Sequence, residues 1–173
     1  MSRFLIVVDM QNDFVSGALG SADAQRIVPY VAEKVRNFSG TVIFTRDSHG
    51  EDYLATQEGK ILPVPHCIKE TAGWEIISEL TEFAEKAKIF DKPAFGSLEL
   101  AEYLQAQNAE ETIEEIELIG VCTDICVVSN GLLIKAALPE TLIKVDSKGC
   151  AGTSVENHNA ALQTMRCCQV EVL

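Results

Sequence analysis

The chain has 173 residues, of which 47% are hydrophobic and 23% are charged. Because roughly 100–200 residues is typical of one domain, we expect residues 1–173 to form a single globular domain and not a disordered or fibrous chain. The 14 basic and 26 acidic residues give a formal net charge of −12, which repels phosphate groups. The composition therefore argues against nucleic acid as a partner.

The sequence has no segment typical of a secretion signal or a membrane span. The first apolar run, Phe4 to Val8, is interrupted by Asp9, and no later run approaches the roughly 18 apolar residues that a membrane span needs. We therefore expect no membrane partner and a cytoplasmic location. In a reducing compartment the cysteines are expected to be free thiols, at positions Cys67, Cys122, Cys126, Cys150, Cys167 and Cys168.

Short β-branched runs alternate with longer stretches of helical periodicity along the whole chain. The runs predict six strands, at residues 4–8, 41–45, 88–90, 116–121, 141–145 and 169–173. Apolar spacing and capping residues predict helices at 25–38, 97–107, 124–138 and 154–167. Strand–helix–strand alternation favours parallel pairing, so the predicted fold is a three-layer α/β/α domain with a mostly parallel, Rossmann-like sheet.

Polar residues follow the predicted strands where a ligand site is expected. In an open α/β sheet the site lies outside the carboxyl ends of the strands, at the point where the strand order reverses. Asp9 follows the first strand, Asp47 the second, Lys92 the third and the segment Cys122 to Cys126 the fourth. Taken alone, Asp9 is also consistent with a solvated strand end and Lys92 with a surface lysine. Their convergence on one rim favours a shared site.

Cys126 lies where the fourth strand leads into a strongly apolar helix. A thiol in the first turn of a helix has a lowered pKa, and Lys92 would lower it further, as a nucleophile requires. The alternative is that Cys126 is a small buried hydrophobic residue. A zinc ribbon using Cys122 and Cys126 is disfavoured because no second spaced pair of cysteines exists.

The long connection from Asp47 to Gly73 carries possible metal ligands. Asp47 and His49 are two residues apart, so they point to the same side of an extended chain, and His66 can close the site from across the loop. Mixed nitrogen and oxygen donors suit zinc, manganese or iron. The alternative is that these are ordinary loop residues. His158, on an outer helix, is interpreted as solvated.

Three motifs resemble those of the isochorismatase-like cysteine hydrolases, and within them the nicotinamidases. The segment FLIVVDMQNDF at the amino terminus resembles the opening strand and its catalytic aspartate, Asp9. DKPAFGS is similar to the segment around the catalytic lysine, Lys92, and GVCTDIC resembles the nucleophile motif that ends at Cys126. The resemblance covers nearly the whole chain and implies a six-stranded sheet of order 3-2-1-4-5-6.

The resemblance also implies how the site is built. It implies a cis peptide between Val121 and Cys122, with the backbone amides of Cys122 and Cys126 as the oxyanion hole. TRDSH with His66 is similar to the metal site of nicotinamidases, in which Asp47, His49 and His66 hold one divalent ion, zinc in the first place and otherwise manganese or iron, and Glu58 falls at an optional fourth position. One departure is the Leu62–Pro65 segment, where the family often has a bulky aromatic residue before the second histidine.

The resulting hypothesis is hydrolysis of a small carboxamide, nicotinamide first, through a thioester on Cys126. Phe14 and Phe95 are candidate walls of the substrate pocket, although core aromatics would read the same. The expected partners are the small-molecule amide and further copies of the chain in a homo-oligomer. Two alternatives stay open: a metal-free hydrolase of another amide or imide, and a catalytically idle binding or redox module.

Overall fold

Six parallel strands form the centre of the computed structural model, which describes residues 1–173. Their bounds are β1 Ser2–Val8, β2 Thr41–Asp47, β3 Lys88–Lys92, β4 Ile113–Val121, β5 Leu142–Ala151 and β6 Glu171–Val172. The strands lie in the order β3-β2-β1-β4-β5-β6, and every neighbouring pair is parallel. The predicted fold class and strand order are therefore confirmed.

Helices cover both faces of the sheet. The long ones are α2 Ala22–Asn37, α5 Leu98–Glu110, α6 Val128–Ala137 and α7 Val155–Cys167, and the short ones are α1 Asn12–Val15, α3 Gln57–Ile61 and α4 Thr81–Ala84. Ser97 and Ser154 cap α5 and α7 as predicted, because each hydroxyl accepts a hydrogen bond from the backbone three residues later. No helix combines the length and the apolar character needed to cross a membrane.

The hydrophobic core consists of two layers, one on each face of β1. Phe4, Ile6 and Val8 pack on the face that α5, α6 and α7 cover, whereas Leu5 and Val7 pack on the face that α2 covers. All five side chains are at most 3% exposed. Full burial of such a side chain contributes roughly 1.5–3 kcal/mol, so the apolar run fixes β1 at the centre of the sheet.

The strand order reverses between β1 and β4, and the two strands approach each other closely there. Gly120 pairs with Val8 and has φ +118°. A Cβ at Gly120 would lie 2.1 Å from the carbonyl oxygen of Val8, so only glycine fits. The approach brings Asp9, which follows β1, beside the segment 122–126 that follows β4.

Candidate active site

Three side chains meet in a buried cluster at this reversal point. The Nζ atom of Lys92 lies 2.6 Å from Oδ2 of Asp9 and 3.3 Å from Sγ of Cys126. Lys92 is the last residue of β3, and β2 lies between β3 and β1, so its side chain spans the end of β2 to reach the other two. All three side chains are at most 4% exposed. The cluster therefore combines a thiol, a carboxylate and an ammonium group shielded from bulk water.

Asp9 is held rigidly by the neighbouring strand. Its backbone leaves β1 with φ +49°, a left-handed conformation that aspartate tolerates better than most residues. The backbone N–H of Asp9 donates to the carbonyl of Thr45, and the hydroxyl of Thr45 donates to Oδ1 of Asp9 at 2.6 Å. Thr45 is fully buried, so both contacts are protected. The other carboxylate oxygen is left to face Lys92.

The electrostatics of the cluster keep the thiol protonated in the resting state. Burial raises the pKa of Cys126, and the charge of Asp9 raises it further, while Lys92 acts in the opposite direction. Burial also raises the pKa of Asp9 against the opposing charge of Lys92, which makes Asp9 a stronger base than an exposed aspartate. The expectation of a lowered thiol pKa is therefore wrong, because desolvation outweighs the nearby cation.

The turn that carries Cys126 differs from the helix predicted there. The peptide between Val121 and Cys122 is cis, and residues 123–127 form a single π-helical turn, so α6 begins at Val128 and not at Asp124. Buried Asn130 anchors this turn, since its Nδ2 donates to the carbonyl of Cys126 at 2.8 Å and its Oδ1 accepts from the N–H of Ser97 at 2.9 Å. Asn130 thus ties the turn to the start of α5.

Beside this cluster, four potential metal ligands converge. One donor atom from each lies within 4.8 Å of all the others, and the four residues are Asp47, His49, Glu58 and His66. Asp47 ends β2, Glu58 belongs to α3, and both histidines lie in the connecting loop, so the fold brings together residues separated by up to 19 positions in sequence (66 − 47 = 19). Asp47 also lies 3.4 Å from Lys92 through Oδ1, which joins the two clusters.

The donor spacing fits a divalent ion of zinc size. Donors at about 2.0–2.2 Å from a tetrahedral ion lie about 3.4 Å from one another. Nε2 of His66 is 3.4 Å from Oδ2 of Asp47 and 3.7 Å from Oε1 of Glu58. Nε2 of His49 is 2.8 Å from Oδ2 of Asp47 and 3.8 Å from Oε1 of Glu58. The residues present therefore suit a four-ligand site with two nitrogen and two oxygen donors.

Hydrogen bonds prepare these donors for a cation. Nδ1 of His66 donates its proton to the carbonyl of Val64 at 2.8 Å, so the ring is oriented with Nε2 toward the other donors. Burial acts to raise the pKa of Asp47, but hydrogen bonds from His49 and His66 and the charge of Lys92 outweigh it, so the pKa falls below its usual range. Asp47 is thus ionised, as a ligand must be.

Gln11 supports the metal ligands and was not predicted from the sequence. Its side chain is fully buried, its Oε1 accepts from the N–H of Asp47 at 2.7 Å, and its Nε2 donates to the carbonyl of Asp47 at 2.8 Å. Asp13 acts similarly on the other side, accepting from the N–H of Cys67 at 2.8 Å next to His66. The signal available in the sequence was a polar run directly after a buried strand.

His158 is not simply solvated, as its position on an outer helix suggested. Its Nδ1 lies 2.8 Å from the hydroxyl of Thr123, which is fully buried and adjacent to Cys122. Asp124 then accepts two hydrogen bonds from Thr153. Helix α7 therefore holds the turn that precedes Cys126, a long-range contact that helical periodicity cannot reveal.

A cavity of about 920 Å³ opens above both clusters. The cavity is lined by Cys126, Asp47, Glu58 and His66, and small residues such as Ala24 and Ala151 form part of the opposite wall. Phe14 and Phe95, both predicted as pocket walls, line it as well, and the ring of Phe14 lies 5.5 Å from that of His66. A ligand in the cavity can therefore contact the thiol and three of the four donor residues, Asp47, Glu58 and His66, at the same time.

The chain is similar to known proteins along nearly its whole length. Residues 3–173 match the isochorismatase domain family. The chain is 28% identical to a nicotinamidase/pyrazinamidase of Mycobacterium tuberculosis, over 99% of this chain and 98% of that protein. Its fold matches a pyrazinamidase/nicotinamidase from Streptococcus mutans with a TM-score of 0.84, at 28% identity over 99% of this chain and 100% of the other.

A second solved structure bears on the four-ligand cluster. The pyrazinamidase of Pyrococcus horikoshii, determined in complex with zinc, matches with a TM-score of 0.82 at 26% identity over 100% of this chain and 99% of that chain. The chain described here is thus similar along its whole length to proteins that include a zinc complex.

Proposed function

This chain belongs to the isochorismatase domain family, and from that premise we propose that it is a cysteine-dependent amide hydrolase that converts nicotinamide to nicotinate and ammonia. One observation carries the proposal: Lys92 lies within 3.3 Å of both Asp9 and Cys126, directly beside four converging metal donors. A nucleophile, a base and a substrate-orienting site are the parts that acyl transfer from an amide requires.

In the first step Asp9 accepts the proton of the Cys126 thiol, and the thiolate attacks the amide carbon. The raised pKa of Asp9 suits it to this task, because a base gains strength as its pKa rises. Lys92, 3.3 Å from Sγ, stabilises the negative charge as it develops on sulfur. The Cys126 thiol is therefore neutral in the resting enzyme and becomes a thiolate as Asp9 takes its proton.

The tetrahedral intermediate then collapses to a thioester. The backbone amides of Cys122 and Cys126 are proposed to hold its oxyanion, for which one well-placed donor contributes roughly 2.7–4 kcal/mol in other enzymes. Asp9 returns its proton to the departing nitrogen, which leaves as ammonia. Asp9 next takes a proton from water as the resulting hydroxide attacks the thioester carbon. The second tetrahedral intermediate expels the Cys126 thiolate, which takes the proton back from Asp9, and the product leaves as a carboxylic acid that ionises in water.

The four donor residues would hold one divalent ion, with zinc the proposed metal and manganese or iron the others that suit the donors. Such an ion would supply a Lewis-acid position for a ring nitrogen or a water molecule by extending its coordination beyond the four protein donors. Asp47, Glu58 and His66 line the cavity together with Cys126, so these residues, with His49 as the fourth donor to the ion, would orient the acyl half of the substrate.

Neither alternative function is favoured. A metal-free amidase would not need two histidines and two carboxylates with donor atoms within 4.8 Å of one another. Three of these four residues are also less than a tenth exposed. An idle binding or redox module would not need a buried lysine paired to an aspartate beside the thiol.

We also propose that the protein acts in the cytoplasm as a homo-oligomer that recycles nicotinamide. Its six unpaired cysteines are consistent with a reducing compartment.

The test is incubation of purified protein, loaded with zinc, manganese or iron, with nicotinamide. We expect ammonia and nicotinate in equal amounts, and no turnover by the Cys126→Ala variant. Cys168→Ala is the matched control because Cys168 is exposed and distant from the cavity. The absence of ammonia from nicotinamide with all three metals would overturn the proposal.

A further inference from the structure

The cavity is larger than a single-ring carboxamide requires. Its volume of about 920 Å³ lies near the upper end of the roughly 300–1,000 Å³ found for pockets that hold drug-sized ligands. Nicotinamide, one ring with one amide group, would fill only the part between Cys126 and the metal ligands. The rest of the cavity is therefore bounded by other wall residues and is available to a larger substrate.

The strand order locates this additional volume. The cavity walls include Asp47, which ends β2, and Ala151, which ends β5. Adjacent strands lie about 4.8 Å apart, so β2 and β4 are separated by about 10 Å and β5 lies one further spacing beyond β4. Cys126 follows β4. One side of the thiol therefore leads to the metal ligands, and the other side leads to the end of β5.

The second side is lined by small side chains, and we call it the β5 compartment. Its walls are formed by Ala18, Gly20, Ala24, Val121, Ala151 and Gly152. Two hydroxyl groups lie on the same wall, but both are engaged: Ser21 caps α2 by accepting from the N–H of Ala24, and Thr153 donates to Asp124. No carboxylate, amine or imidazole lines this side of the cavity, and the neighbouring Cys122 adds only a thiol whose pKa is raised by burial, so the compartment suits an apolar occupant.

The position of Asp9 decides which half of the substrate enters the compartment. The departing nitrogen has to meet Asp9, which is fully buried and enclosed by Lys92 and Thr45. A substituent on that nitrogen would have to displace these side chains. The reacting group is therefore a primary carboxamide, and the β5 compartment is available to the acyl half.

We propose that this enzyme hydrolyses primary carboxamides whose acyl half carries an apolar substituent, which enters the β5 compartment while the rest of the acyl group contacts the metal ligands. The inference rests on the proposed function and extends it to a substrate class. Each methylene buried there would raise kcat/KM by about fourfold, the equivalent of about 0.8 kcal/mol.

The experiment compares nicotinamide with the isomers that carry a propyl group at each free ring carbon, with ammonia release by the metal-loaded enzyme as the readout. We expect kcat/KM for at least one isomer to exceed the value for nicotinamide by about fourfold or more, the gain for one buried carbon. Turnover of nicotinamide with no isomer exceeding its kcat/KM overturns this inference alone. No ammonia from any compound overturns the proposed function as well, so the two failures are distinguishable.

Variants that fill the compartment provide the second arm. Ala18→Leu fills it from an exposed position, and Ala24→Leu fills it from the buried wall. The ratio of kcat/KM for the favoured propyl isomer to that for nicotinamide should fall roughly tenfold or more, since one misplaced methylene costs roughly 10–200-fold in a closed pocket. Ala22→Leu, exposed at the start of α2 and outside the cavity, is the control. An unchanged ratio in folded Ala18→Leu protein contradicts the compartment, even where Ala24→Leu fails to fold.

Discussion

The ammonium group of Lys92 lies 2.6 Å from the carboxylate of Asp9, and neither side chain has any exposed surface. Burial alone would lower the pKa of Lys92, but Asp9, Cys126 and Asp47 reverse the effect, so its pKa rises and the lysine stays charged. A permanent cation therefore stands between the base and the thiol. The charge of one residue controls the proton affinity of the other two, which makes the cluster testable by single substitutions.

Asp9→Asn should separate turnover from thiol acidity. Turnover should fall by roughly 10²–10⁴, the usual contribution of a general acid–base group. The pKa of Cys126 should fall at the same time, because the negative charge that raises it is removed while Lys92 remains. The measurement is the rate of Cys126 alkylation against pH, read by mass spectrometry of its peptide, with Asp52→Asn as the exposed control. A raised alkylation pKa in Asp9→Asn would contradict the coupling.

Lys92→Met should act on the thiol in the opposite direction. Without the cation, burial and the charge of Asp9 act unopposed, so the alkylation pKa of Cys126 should rise. Asp9 would also remain buried without its partner, a change that typically costs 3–5 kcal/mol of folding stability. Urea unfolding measures that loss, and Lys86→Met, at an exposed lysine just before β3 and outside the site, controls for the loss of a lysine. Normal turnover in Lys92→Met would remove this residue from the mechanism.

The sequence could predict the residues that carry the chemistry, but not the residues that hold them in place. Asp9, Asp47, Lys92 and Cys126 end or follow buried strands, and the rule that sites lie at carboxyl ends of parallel strands applies to them directly. The six strands follow from the periodicity of the sequence, whereas their order was implied by the resemblance to the isochorismatase-like hydrolases. Strand ends were less accurate: β5 continues to Ala151, beyond the predicted residue 145, because its later residues pair with the end of β4.

The supporting contacts could not be predicted because they depend on distances between segments remote in sequence. The bond between His158 and Thr123 spans 35 positions, and that between Thr45 and Asp9 spans 36. The thiol pKa failed for a related reason. A motif identifies the residues near Cys126, but the degree of desolvation, which dominates the shift, is a property of the folded chain.

Removal of single metal ligands should weaken substrate binding more than it alters the thiol. His66→Ala and Asp47→Ala each delete one of four donors, so bound metal, measured by atomic emission, should fall and the KM for nicotinamide should rise. The alkylation rate of Cys126 in His66→Ala should change little, because His66 has no contact with the thiol. Glu58→Ala should give a smaller effect, since Glu58 is the most exposed of the four, with Glu51→Ala as its control. A protein that binds no ion and is indifferent to chelators would contradict the metal role.

His158 should make the free energy of unfolding depend on pH, and its contact with Thr123 should support turnover. Burial lowers the pKa of His158 from its usual 6.5, although Asp124 and Asp23 oppose the shift. As the pH falls below 6.5 the unfolded chain takes up this proton before the native protein does, so the histidine's contribution to stability decreases until the native pKa is passed. In His158→Gln this part of the pH dependence should disappear, and the difference in unfolding free energy between the two proteins, measured in urea, should be constant above neutral pH and change below it. The same variant should lower kcat more than it changes KM, because His158 positions the turn before Cys126 and touches no substrate. A difference in unfolding free energy that is independent of pH from 5 to 8 would contradict this role.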